Sequence, residues 1–152
     1  MAGPEGLWLP GAMRDAVVQH CQSLWPKEAC GILAGRRDPS EVRRVVAAVY
    51  PMRNVENSPI GYSMDPAEQL QVEKRMRQQQ QVMLGIYHSH TASAAYPSSV
   101  DVRLALSPTI SYVLISLKDR SRPEIKTYRI DGLSVHREDL WWDDEPAGTR
   151  QA

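Results

Sequence analysis

Apolar residues near the start of the chain recur at helical spacing. Ala12, Ala16, Val17, Cys21 and Leu24 share a face, which predicts a helix led in from Leu7 and stopped at Trp25 by Pro26. The unbroken apolar run from Ala29 to Ala34 predicts a short buried strand ending at Gly35. After a polar turn over Arg36 to Ser40, the valine-rich run Val42 to Tyr50 predicts a second strand. Pro51 to Ser63 carries Pro, Asn and Gly and reads as irregular. Asp65-Pro66-Ala67-Glu68 then opens a helix: Asp65 as N-cap, Pro66 in the first turn, Glu68 placed for a capping box. That helix is expected to reach about Gln80. Val82 to Tyr87 predicts a third strand, His88 to Pro97 a loop, and Ser98 to Leu106 a short helix capped by Ser98. Ile110 to Leu117 and Glu124 to Ile130 predict two more strands, and Asp131-Gly132 turns the latter into a sixth, Leu133 to His136. The sum is a mixed α/β (α+β) layer, one sheet with helices against it.

Composition narrows the class. The 152 residues fit one domain, and a chain of that size buries about two-thirds of its unfolded surface without help from disulfides or metal. Lys and Arg number 18 against 18 Asp and Glu, so there is no basic field to grip nucleic acid. Cys21 and Cys30 make no disulfide framework and read as reduced core residues of a cytoplasmic protein. No apolar stretch approaches a membrane span, and Met1 to Pro10 lacks the features of a secretory signal. Residues 138–152 are acidic, hold Trp141 and Trp142, and are expected to form a tail after a domain over residues 7–137, mobile beyond about Trp142.

The chemistry concentrates in residues 85–101. His88 and His90 are alternate residues at the end of the third strand, so they point the same way. Asp101 lies three residues after Ser98, in the first turn of a helix, and can bring a carboxylate to the same place. Two imidazoles and one carboxylate leave a fourth tetrahedral position for water, the mark of a catalytic zinc site. Such a site needs a proton carrier. Glu28, just ahead of the first apolar strand, is the candidate, since burial would raise its pKa. Ser98 could donate to the oxyanion of a tetrahedral intermediate. Each feature alone has an ordinary reading: Ser98-x-x-Asp101 is also a capping box, and Glu28 also a solvated acid.

Taken together, Glu28, His88-x-His90, Ser98 and Asp101 resemble the JAMM signature of the MPN/JAB metalloprotease family. The resemblance covers about residues 8 to 137. It implies a single domain with a curved mixed sheet flanked by helices, and one zinc ion per chain on His88, His90 and Asp101. Glu28 would act as general acid and base on the attacking water, with Ser98 stabilising the intermediate and no covalent enzyme intermediate. Thr91 stands where eukaryotic deubiquitinating members often have proline. Glu28-Ala-Cys-Gly-Ile, His88-Ser-His-Thr-Ala and Ala95-Tyr-Pro-Ser look instead like the small bacterial, Mec-type members.

That branch implies a ubiquitin-like sulfur carrier protein as partner, ending in Gly-Gly, from which cysteine or a short extension is removed. A Gly-Gly tail suits a narrow slot and can add beside a strand. The segment from Asn54 to Ser63 is the expected lip, with Asn57, Ser58 and Tyr62 as substrate contacts and Tyr96 as a possible wall. Each of these is also readable as an ordinary loop residue. An isopeptidase acting on lysine-linked ubiquitin-like proteins and a non-catalytic metal-binding module remain as alternatives, and a homodimer stays open. His20 and His136 read as surface residues, Cys30 as a buried inert thiol, and Arg36-Arg37 and Arg43-Arg44 as solvated pairs. No nucleic acid, membrane or further cofactor is expected.

Overall fold

Apolar runs that are continuous in the sequence become the middle strands of one sheet. The computed structural model describes residues 6–36, 43–56 and 61–141. Along the chain lie β1 (Leu7–Trp8), α1 (Gly11–Leu24), β2 (Cys30–Arg36), β3 (Ala48–Met52), α2 (Pro66–Gln78) and β4 (Gln81–His90). They are followed by α3 (Ser99–Arg103), β5 (Ser111–Ser116), β6 (Glu124–Asp131), β7 (Ser134–Glu138) and β8 (Leu140–Trp141). The main sheet has the order β3-β2-β4-β5-β6-β7, and β1 pairs with β8 beside it. Neighbours in the main sheet are antiparallel except β4 and β5, which are parallel. A parallel pair needs a crossover. Here α3 lies within it, between the end of β4 and the start of β5.

The two faces of β4 are packed differently. Tyr87 and Ser89 face α1, where Leu7, Leu9, Val17, Cys21, Leu33, Val113 and Ile115 build a core around Tyr87. Ile86, His88 and His90 alternate to the other face. There Cys30, Ile32, Met52 and Met76 form one apolar cluster and Ile86, Ile110, Tyr112 and Ile130 another. Gly31 makes the first packing possible, because a Cβ there would lie 2.2 Å from the Tyr87 ring. Among the described residues no helix is long and apolar enough to cross a membrane.

The helices start where local chemistry says they should. The Asp65 carboxylate accepts from the Ala67 N–H at 3.0 Å with Pro66 at the first position of α2. The expected capping box is not completed, because Glu68 accepts instead from the Arg53 N–H at 2.6 Å. Gln80, at φ 55°, takes the left-handed turn that ends α2 and leads into β4.

Several boundaries differ from expectation. β4 continues through His90 instead of stopping at Tyr87, since His88 pairs in register with Cys30 and Leu114. β3 falls later than the valine run and contains Pro51, which is tolerated because β3 is an edge strand. Residues 138–141, expected to begin a tail, are packed. Glu138 accepts from Thr127 Oγ1 at 2.7 Å and from Arg129 Nε at 3.0 Å. Leu140 is buried, and Trp141 stacks on Trp8 with ring centroids 5.3 Å apart. The remainder of the tail, Trp142 included, lies outside the described residues.

Candidate metal centre

Three side chains converge where β4 ends and α3 begins. His88 Nε2 and His90 Nε2 are 3.2 Å apart, and Asp101 Oδ2 lies 3.2 Å from the first and 3.1 Å from the second. His90 Nδ1 is 2.9 Å from the Ala94 carbonyl. A carbonyl only accepts, so Nδ1 carries the proton and the Nε2 lone pair is turned to the centre. Asp101 is fixed by a completed capping box. Its N–H donates to Ser98 Oγ at 3.0 Å, and its Oδ2 accepts from the Ser98 N–H at 2.8 Å.

The donor set fits zinc. Bonds of roughly 2.0–2.1 Å in a tetrahedron hold ligand atoms roughly 3.3 Å apart. The observed separations of 3.2, 3.2 and 3.1 Å match that spacing. His88, His90 and Asp101 are also the group of possible metal ligands found among the described residues.

The electrostatics are those of a buried, coupled cluster. Burial pulls His88 below the usual imidazole range. Burial acts the same way on His90, but hydrogen bonds to Asp101 and Ala94 outweigh it and the net direction is up. Asp101 is penalised by burial, yet the two imidazoles and the Ser98 N–H hold it well below the carboxylate range. Glu28 is 6% exposed. Burial pushes its carboxyl from 4.5 up to about 7, with His90 pulling down and Asp101 and Glu56 pushing up. It is a buried acid close enough to feel the charges of His90 and Asp101.

A cavity of about 240 Å³ opens beside the cluster, lined among others by Tyr62, Met64, Ser98, Asp101 and Leu104. The Tyr62 ring stacks on His88, 4.4 Å between centroids. Ser98 accepts from the Asp101 N–H with a lone pair, which leaves its hydroxyl proton able to point into this space. Tyr96 is exposed, packs edge-on against Tyr128, and is not among the residues lining this cavity. Asn57 and Ser58 lie outside the described residues, as does Arg37.

Other expectations need correction. His20 is half-buried, with Nδ1 2.6 Å from the Tyr87 hydroxyl; burial lowers its pKa. Arg44 is not a solvated partner of Arg43. It donates to Ser111 Oγ at 2.8 Å and to the Leu84 carbonyl at 2.6 Å. Cys30, by contrast, is the buried thiol that was expected: it is fully buried, and burial pushes its thiol up to about 12, which keeps it protonated. The residue the sequence reading passed over is Asn54, which joins the backbone of Glu28 to that of Gly61. An Asn among Gly and Pro directly after a strand is a turn-organising signal that could have marked it.

Residues 10–131 match the family described as prokaryotic homologues of the JAB domain. The chain is 45% identical over 124 residues to the CysO-cysteine peptidase of Mycobacterium tuberculosis, covering 82% of each protein. It is 32% identical over 115 residues to a desampylase of Haloferax volcanii, covering 72% of this chain and 80% of that one. The solution structure of protein DSY2949 from Desulfitobacterium hafniense superposes with a TM-score of 0.82 at 40% identity, over 93% of this chain and 96% of that one.

Proposed function

Because this chain belongs to the family of prokaryotic JAB-domain homologues, we propose that it is a zinc-dependent hydrolase. Its substrate would be the peptide bond after the C-terminal Gly-Gly of a ubiquitin-like sulfur carrier protein. The observation that carries this reading is the convergence of two imidazole nitrogens and one carboxylate oxygen, with the buried Glu28 near enough to feel His90 and Asp101. The CysO-cysteine peptidase relative supports the leaving group being cysteine.

His88, His90 and Asp101 would hold the ion, which supplies Lewis acidity toward a carbonyl and a water molecule. Glu28 takes a proton from the attacking water. Burial pushes its carboxyl up to about 7 in the metal-free chain, which makes it a better base for that proton than an exposed carboxylate. The water oxygen bonds to the glycine carbonyl carbon, the C–N bond breaks, and Glu28 returns the proton to the departing amine. Ser98 donates a hydrogen bond from its hydroxyl to the oxyanion formed in between. Tyr62, stacked on His88, flanks the entry, where a tail without side chains passes most easily.

A second reading is favoured by the desampylase relative: the same site would cleave an isopeptide bond to a lysine side chain. Intact mass spectrometry separates the two. Zinc-loaded protein is incubated with ubiquitin-like carriers of its own genome, each bearing a cysteine adduct, a short extension or a lysine-linked protein. Trimming of the first two to Gly-Gly, absent with Glu28→Gln, is the expected result. Cleavage of lysine conjugates alone would replace the proposal with the second reading, and cleavage of none would overturn both.

A further inference from the structure

The peptide unit between Glu28 and Ala29 lies just ahead of β2, and side chains take both of its polar atoms. Its carbonyl accepts from Asn54 Nδ2 at 3.0 Å. Its N–H donates to Ser89 Oγ at 2.9 Å. Ser89 stands between the two proposed histidine ligands on β4 and is fully buried. Its own N–H donates to the Ala29 carbonyl at 3.0 Å, so the two residues are tied twice.

Asn54 spends every bonding position it has. Besides the Glu28 carbonyl, Nδ2 donates to the Gly61 carbonyl at 3.0 Å. Its Oδ1 accepts from the Glu56 N–H at 3.1 Å and the Ser63 N–H at 2.9 Å. The amide orientation is therefore fixed, since a flipped amide would set its oxygen against two carbonyls and its NH2 against two N–H groups. Gly61 and Ser63 bracket Tyr62, the ring stacked on His88. One side chain thus links the segment beside the metal ligands to the backbone of the buried acid.

We propose that Asn54 and Ser89 are positioning residues for Glu28. Together they clamp the Glu28–Ala29 peptide plane, and so the direction in which the carboxyl leaves the backbone. Asn54 in addition ties that plane to the Tyr62 segment. Catalytic groups lose rate when displaced by fractions of an ångström. The plane is held from β4 on one side and, through Asn54, from the Gly61–Ser63 backbone on the other, so Glu28 keeps its place relative to both. This rests on the reading of Glu28 as the proton carrier.

The test uses the full chain, zinc-loaded, as Asn54→Ala, Ser89→Ala, the double variant, Ser89→Thr and Glu28→Gln. Zinc content and thermal stability are measured in each, and amide exchange at Ala29 is measured in the metal-free forms. Each alanine variant is expected to keep its zinc and lose about tenfold or more in kcat. Ser89→Ala leaves KM unchanged, whereas Asn54→Ala also raises KM because the Tyr62 segment is released. The double variant falls about as far as the worse single one, because both side chains hold one plane. Ser89→Thr keeps the oxygen and recovers most of kcat. The Ala29 amide exchanges faster in both single variants.

Wild-type kcat in folded, zinc-loaded Asn54→Ala and Ser89→Ala would overturn the clamp, as would losses that multiply independently or unchanged exchange at Ala29. If Ser89→Ala fails to fold, Asn54→Ala decides alone. Glu28→Gln keeps the two possible failures apart. An active Glu28→Gln overturns the proton-carrier reading itself. An inactive one beside fully active Asn54→Ala and Ser89→Ala overturns only the clamp.

Discussion

The two faces of β4 carry buried polar groups that behave in opposite ways. On the α1 side, the Tyr87 hydroxyl meets His20 at 2.6 Å and Ser89 meets the Ala29 N–H at 2.9 Å. Every polar atom named there finds a protein partner, so burial costs little and the contacts stabilise. On the other side, two imidazole nitrogens and a carboxylate oxygen crowd one point, with an acid pushed up to about 7 beside them. That arrangement suits a cation better than it suits the protein alone. Buried polar groups that satisfy one another fix the backbone in place; buried groups aimed at a common point are suited to chemistry.

This contrast can be broken by substitution. The largest effect is expected on the metal face: His88→Ala or Asp101→Ala should lose the zinc and reduce cleavage to background, measured by metal analysis and turnover. Normal zinc content in both would mean that the ligands are misassigned. Glu28→Gln should lower kcat by about 10²–10⁴-fold, the usual worth of a positioned acid–base group, while zinc remains bound.

The same substitution sharpens the contrast through stability. Burial raises Glu28 from 4.5 to about 7. The folded, metal-free protein therefore keeps a proton that the unfolded chain loses as pH rises from 4.5 toward 7. The stability from that proton is complete below the unfolded value and is lost as pH rises through the folded one. Glu28→Gln cannot lose it, so above pH 7 the metal-free variant should be more stable than metal-free wild type by about 1–3 kcal/mol. Denaturant titrations at several pH values read this directly, and equal slopes with pH would remove Glu28 as the cause. The smallest effect belongs to the Tyr87–His20 contact on the α1 face. Tyr87→Phe leaves His20 without its buried partner and should cost about 1–2 kcal/mol of stability, with kcat unchanged in the folded protein.

The cluster of His88, His90 and Asp101 was legible in the sequence because its parts are local. His88 and His90 need only the alternation of one strand, and Ser98 and Asp101 only one helical turn. Glu28 was visible through its position before an apolar run. What escaped depends on distant partners. Leu7–Trp8 and Leu140–Trp141 are two-residue strands from opposite ends of the chain, too short for any periodicity to reveal their pairing. The polarity of His88 and His90 reads as a loop, and only the pairing with Cys30 and Leu114 keeps them in β4. His20 looks like a surface residue until Gly31 lets the Tyr87 ring pass. Asn54 shows its value only when Glu28, Gly61 and Ser63 are brought to it.

The most direct test of the central claim measures zinc per chain and turnover of a Gly-Gly–cysteine carrier on the same samples of wild type, Glu28→Gln and Asp101→Ala. The account predicts one zinc and activity for the first, one zinc and no activity for the second, and neither for the third. Zinc lost from Glu28→Gln, or retained in full by Asp101→Ala, would contradict the division between the acid and the ligands.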